Sequence, residues 1–178
     1  LANGERVNAD HVIINADFGM AMTTLFEPGV LKKYTPEKLE KKKYSLSTAM
    51  LYMGVEGEVD LPHHSVYFAN DYRSNVDDMT TRKVLSEDAS LYVHNPSVID
   101  PTLAPPGKSA IYALMPVPNL TANLDWEKDR EEIQARMMKL LESIPALTGL
   151  SSRIEESLFF TPLDWQNERD VYQGATFN

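Results

Sequence analysis

YSLSTAMLYMGV (residues 44–55) decides the fold once it is set beside the three segments that follow it, HHSVYFAN (63–70), ASLYVHNP (89–96) and KSAIYALMPVP (108–118). All four are strand-like, and the last ends at prolines, which cannot donate to a ladder. Their connections are short, and short connections join antiparallel neighbours, because a parallel pair needs a long crossover. RIEESLFFTP (153–162) supplies a further strand. Between the second and third segments, DYRSNVDDMTTRKVL (71–85) carries Val76, Met79 and Val84 at roughly helical spacing. The middle of the chain is therefore expected to be a mainly antiparallel, mixed sheet of about five or six strands with flanking helices, an α+β fold.

Outward from the sheet, Asp125 is placed to cap the longest helix, WEKDREEIQARMMKLLESI (126–144). Trp126, Ile133, Met137, Leu140 or Leu141, and Ile144 form one apolar stripe, which requires cover by a sheet face. Lys128 with Glu132 and Glu132 with Arg136 stand at i,i+4 on the wet side. Toward the amino terminus, Thr35 as N-cap with Pro36 starts a helix to about Lys43. Asp17 caps another helix through Phe26, before Glu27-Pro28-Gly29 stops it. Val7 to Ala16 reads as a strand, its HVIINA (11–16) being the continuous apolar run of a strand buried on both faces. Asn3-Gly4 is a strong hairpin signal, yet only Leu1 and Ala2 precede it, so the partner strand is expected outside this chain and the chain to be an excised domain. LDWQNERDVYQGATFN (163–178) follows the last strand and ends in irregular, Gly-containing chain.

Apolar residues make up 43% of the 178 and charged residues 24%, which is globular composition. The net charge of −9 repels nucleic acid, so nucleic-acid binding is not expected. The absence of cysteine excludes disulfides, thiol catalysis and zinc-thiolate sites. No apolar run approaches the roughly 20 residues of a membrane span. LKKYTPEKLEKKKY (31–44) is locally basic in an acidic chain, which suits either the solvated face of a helix or contact with phospholipid headgroups.

Few residues suggest chemistry of their own. His63-His64 and His94 invite a metal reading, but neighbours on one strand point to opposite faces and no ligand spacing is evident, so no metal is expected. Asp77-Asp78 and Glu155-Glu156 diverge for the same reason. Loops of the G-x-S-x-G, G-x-x-x-x-G-K-[ST] and G-x-G-x-x-G types are absent from the sequence. Tyr52, Tyr67, Phe68, Tyr92 and Tyr112 recur on the middle strands; such residues are more often plain core, but they also suit an apolar cleft for a flat or elongated ligand.

Read together, ADHVIINADFGMAMTTLF (9–26), YSLSTAMLYMGVEGEVDLPHHSVYFANDYRSNVDDM (44–79), LYVHNPSVIDPTLAPPGKSAIYALMPVPN (91–119), DWEKDREEI (125–133) and FFTPLDWQNERDVYQGATF (159–177) resemble the bacterial-type phytoene desaturase family, including its dehydrosqualene desaturase members. The resemblance implies a flavin amine-oxidase-like fold whose Rossmann-type FAD-binding domain is split in sequence around a substrate domain. On that pattern, 1–17 is the end of the FAD-binding part, 18–161 the substrate-binding domain, and 162–178 the return toward the FAD-binding part. Asn15, Ala16 and Asp17 then stand beside the flavin, with Gly174 and Ala175 where the chain comes back to it. FAD belongs to the full-length protein and is not expected bound to this chain alone.

The implied activity is FAD-dependent desaturation of a long apolar isoprenoid such as phytoene or dehydrosqualene. Such a substrate offers no polar handle, so the protein needs chiefly an apolar tunnel, and no catalytic acid or base is assigned. Tyr52, Tyr67, Phe68, Tyr92 and Tyr112 are the expected lining, with Ala49 and Ala113 as its small residues should they face it. A related flavin oxidoreductase acting on another carotenoid or retinoid lipid, as oxygenase or saturase, stays open, as does a non-catalytic lipid-binding module. Collection of a water-insoluble substrate implies peripheral membrane contact from the cytoplasmic side, through FGMAMTTLF (18–26), LLESIPALTGL (140–150) or the lysine tract at 32–43.

Overall fold

The structure, a computed structural model, describes residues 3–177. The chain forms two compact units, Leu1–Lys42 and Lys43–Asn178.

The second unit is built on a five-stranded sheet with every pair antiparallel. Its strands are β1 (Ser47–Glu56), β2 (His64–Tyr67), β3 (Leu91–His94), β4 (Lys108–Val117) and β5 (Ile154–Phe160), in the spatial order β2-β3-β4-β1-β5. All five expected strands are present. The central ladder pairs β1 with β4 without interruption from Ser47↔Val117 to Glu56↔Lys108. Because side chains alternate across a strand, that register places every odd-numbered residue of β1 and β4 on one face. Ala49, Leu51, Met53 and Val55 of β1 lie there with Ile111, Ala113, Met115 and Val117 of β4, all buried.

A long helix, α4 (Arg130–Glu142), contributes Ile133, Met137 and Leu141 to the same core cluster. Each such buried side chain is worth roughly 1.5–3 kcal/mol of apolar transfer. The expected stripe is therefore the buried one, with Leu141 at its centre and Leu140 only partly covered. The helix begins later than Asp125, however. The Asp125 carboxylate accepts from Lys128 N at 3.0 Å and its carbonyl from Asp129 N at 2.8 Å, closing a turn that anchors buried Trp126 before the helix starts. Between β2 and β3 lies α3 (Tyr72–Asp77), which runs into a wider turn over Asp78–Arg82.

The segment after β5 opens with a helix. Thr161-Pro162 starts α5 (Pro162–Arg169), and the Asp164 carboxylate reaches back to Thr161 N at 2.6 Å, a capping box that outweighs the low apolar content of the segment. Trp165 Nε1 donates to Thr48 O at 2.9 Å and pins the helix to β1. Leu120 N then donates to Gln173 O at 3.0 Å and Thr176 N to Leu46 O at 3.1 Å, which ties the rest of the tail into this unit.

In the first unit, α1 (Phe18–Thr24) is capped as expected, the Asp17 carboxylate accepting from Met20 N at 2.9 Å. The next helix, α2 (Pro36–Glu40), ends before Lys43. Val7 to Ala16 forms no strand: the segment is extended without a ladder, and Val12 and Ile13 are 78% and 93% exposed. An apolar run specifies a buried strand only where neighbouring strands hydrogen-bond it, and none of the described residues does so. Asn3 and Gly4 make a tight turn, Gly4 at φ +81° with Glu5 N donating to Asn3 Oδ1 at 3.0 Å. Leu1 and Ala2, on the other side of the expected hairpin turn, lie outside the described residues.

Two readings of membrane contact separate here. Leu141, Ile144, Leu147 and Leu150 are buried core, so the 140–150 segment has no apolar face left to offer a bilayer. Phe18 and Leu25 of the first unit are exposed, as are the lysines from 32 to 43. Among the described residues no helix is long and apolar enough to cross a membrane.

Candidate functional site

The even-numbered residues of β1 and β4 form the second face of the sheet, which α4 does not cover. Tyr52 and Tyr112 are register partners on it, their rings 5.6 Å apart. Tyr92 of β3 stands 6.0 Å from Tyr112, and His64 of β2 lies 5.9 Å from Tyr92 with Nδ1 at 2.5 Å from its hydroxyl. In the other direction Phe160 of β5 packs edge-on to Tyr52 at 6.2 Å, and Trp165 of α5 stacks on Phe160 at 5.0 Å. The result is one aromatic row across all five strands. At about 4.8 Å per strand it is roughly 19 Å wide, the shape for an elongated apolar ligand.

Apolar clefts open at both ends of this face. One, of about 390 Å³, has Tyr52, Gly54, Ala110, Tyr112 and Leu158 in its wall. The other, also about 390 Å³, is lined by Val66, Phe68, Tyr72, Met79 and Tyr92. Both volumes are within the ordinary range of small-molecule pockets. Burial raises the Tyr52 hydroxyl above its usual pKa with the Tyr112 hydroxyl adding to it, and burial likewise raises Tyr92 beside Tyr112. These two phenols stay protonated at neutral pH and bring no charge to the row.

Of the five expected lining residues, Tyr52, Tyr92 and Tyr112 come together in the row, and Phe68, just beyond β2, lines the second cleft. Tyr67 does not join them: it is out of phase with His64 and Val66 and packs against the core on the other face. Ala49 and Ala113 are also core residues, being odd-numbered and fully buried; the small residues that face a cleft are Gly54 and Ala110. Phe160 and Trp165 were missed. Register parity with Tyr52 marks the first, and the Thr161-Pro162-x-Asp164 start signal marks the helix that carries the second.

The acidic pairs have ordinary roles. Asp77 and Asp78 both reach the Arg82 guanidinium, at 3.3 and 3.1 Å. Glu155 bonds Lys108 at 2.6 Å while Glu156 turns to the cleft side of the sheet. The histidines contradict the expectation of divergence. β2 begins at His64, so His63 escapes the pleat and its ring packs tilted against His64 at 4.0 Å, with its Nε2 2.8 Å from His94 Nε2. Burial lowers the His94 pKa, with His63 and His64 adding to the effect, which favours the neutral ring.

Among the positions assigned to the flavin, Asn15 and Ala16 are exposed in the first unit, and the Asp17 carboxylate is engaged at the start of α1. Gly174 and Ala175 are buried in the second unit. Gly174 N donates to Val171 O at 2.9 Å and Ala175 N to Tyr172 O at 3.2 Å, so neither amide is left to hold a bound group.

An α+β unit with a five-stranded antiparallel sheet and one open aromatic face is what these residues define. The chain belongs to the flavin containing amine oxidoreductase family, whose sequence profile matches residues 1–178. It is similar to the 4,4'-diapophytoene desaturase (4,4'-diapolycopene-forming) of Methylomonas sp, at 45% identity over all of this chain and 35% of that protein. It is also similar to the all-trans-zeta-carotene desaturase of Myxococcus xanthus, at 38% identity over all of the chain and 34% of that protein. The 4,4'-diapophytoene desaturase (4,4'-diaponeurosporene-forming) of Staphylococcus haemolyticus shares 36% identity over 99% of the chain and 37% of its own length. The chain spans about a third of the length of the curated relatives it matches.

Proposed function

We propose that the chain is the substrate-binding part of an FAD-dependent desaturase that introduces conjugated double bonds into a long apolar isoprenoid of the phytoene or dehydrosqualene type. The observation that carries this reading is the aromatic row with two apolar clefts opening beside it. A hydrocarbon chain laid along it buries its length against ring faces and excludes water, and the weak directionality of those contacts lets successive bonds be presented in turn. FAD, when bound to the full-length protein, supplies the two-electron oxidation. Positioning is what the chain's own residues contribute: Tyr52, Tyr92 and Tyr112 set the plane of the lipid, and Gly54 and Ala110 leave room beside it.

In this reading residues 1–17 complete the FAD-binding domain, 18–161 hold the lipid, and 162–178 return toward the flavin. Asn15, Ala16 and Asp17 lie on the flavin side, and Gly174 and Ala175 shape the return with their amides committed within it. Peripheral attachment to the cytoplasmic membrane surface goes with the same reading. Exposed Phe18 and Leu25 offer apolar contact in the first unit, and exposed lysines at 32, 33, 38 and 41–43 offer charge to headgroup phosphates.

Expression of the full-length protein in a host that accumulates a colourless C30 or C40 precursor is expected to yield coloured, conjugated product, read by absorbance and mass. Flavin-loaded protein that leaves both precursors unchanged rejects the reading.

A further inference from the structure

Three of the chain's four histidines meet at the edge of the sheet, at the end of the aromatic row. One ring nitrogen from each of His63, His64 and His94 lies within 4.8 Å of the others. The backbone holds them there. His64 and His94 are register partners of β2 and β3, and Asn95 N donates to His63 O at 2.9 Å, which ties His63 to the end of β3. The three rings are therefore brought together by the ladder and not by chance rotamers on a loop.

We propose that His63, His64 and His94 bind one divalent late transition-metal ion, of the zinc, nickel or copper class, through one ring nitrogen each. Imidazole donors select that class, whereas magnesium and calcium require oxygen ligands, and no carboxylate belongs to the cluster. The Nε2 atoms of His63 and His94 stand 2.8 Å apart. Tetrahedral coordination at about 2.0–2.1 Å sets ligand nitrogens about 3.3 Å apart, so a small opening of this contact admits the ion. His94 Nδ1 is buried without a partner, which leaves Nε2 as the working nitrogen of that ring.

The Tyr92 hydroxyl lies 2.5 Å from His64 Nδ1 and, accepting from Nδ1–H, leaves Nε2 for the ion, the role of an outer-shell partner. His64 is exposed, so water reaches the remaining coordination position. Bound there, the ion clips the four-residue edge strand β2 onto β3, on the flank of the row formed by Tyr92 and Tyr112.

The test is calorimetric titration of the chelator-treated full-length protein with zinc chloride and nickel chloride, magnesium chloride serving as the oxygen-preferring control. Saturable binding of zinc or nickel is expected, with a rise in melting temperature, and none of magnesium. His63→Gln and His94→Gln should each weaken that binding at least tenfold and abolish the thermal rise. Tyr92→Phe should weaken it about tenfold, and His11→Gln, at the remaining histidine, should leave it unchanged. His63 lies outside the strand, so its variant reads the site even if His94→Gln disturbs the ladder. Absence of saturable binding in the parent, or equal binding in the parent and His63→Gln, overturns the proposal. Neither readout depends on desaturation, so the site stands or falls separately from the proposed activity.

Discussion

Ala110→Trp in the full-length protein is expected to lower desaturation of its isoprenoid precursor by about 100-fold, roughly 2.7 kcal/mol of barrier, with flavin content and melting temperature unchanged. Ala110 sits opposite Gly54 in the central ladder, and the two line the cleft beside Tyr52 and Tyr112. An indole there fills the space where the lipid must lie and displaces the reacting bond, while β4 keeps its hydrogen bonds. Ala113→Trp is the contrasting variant. Ala113 is fully buried on the other face, among Leu51, Met137 and their neighbours, so its indole overpacks the core and should reduce folded protein instead. An unchanged rate in Ala110→Trp would show that the lipid does not use this cleft.

The second large effect is expected at Gly174, where Ala should cost about 2–5 kcal/mol in urea unfolding. Two terms combine. Gly174 has φ +61°, a left-handed conformation that costs an L residue about 1–2 kcal/mol, and an added Cβ would overlap the Pro162 carbonyl at the start of α5. Gly107 separates the terms, since it has φ +77° but open space around its Cβ position. Gly107→Ala should therefore cost only about 1 kcal/mol. Equal losses at the two sites would mean that the close approach of the tail to α5 is not maintained in solution.

The sheet was legible because strand segments and short connections are local features, and the long stripe of α4 followed from its 3.6-residue period. What escaped depended on partners or on phase. HVIINA has the composition of a buried strand but no neighbour among the described residues to bond it, and composition carries no information about neighbours. Tyr67 and Tyr92 look alike in sequence, yet parity against Val66 and Val93 sends them to opposite faces. His63 and His64 were read as divergent because both were placed in one strand; moving the strand start by a single residue turns divergence into convergence. Trp165 fell in a stretch read through its glycine and polar content, although Thr161-Pro162-x-Asp164 states a helix start, and Phe160 was placed on a strand whose facing follows only from its register with β1. Gly174 and Ala175 show the limit of residue-by-residue transfer, because their amides are already committed within the tail.

The most direct test of the open face as the lipid-binding surface is photocrosslinking of the full-length protein in a precursor-accumulating host. A benzophenone side chain is placed at Leu114, which lies between Tyr92 and Met50 in the ladders of that face, or at exposed Lys139 on α4. The expected result is a covalent adduct of isoprenoid mass at position 114 and none at 139. Active protein that gives no adduct at 114, or gives as much at 139, would contradict the assignment of the aromatic face to the substrate.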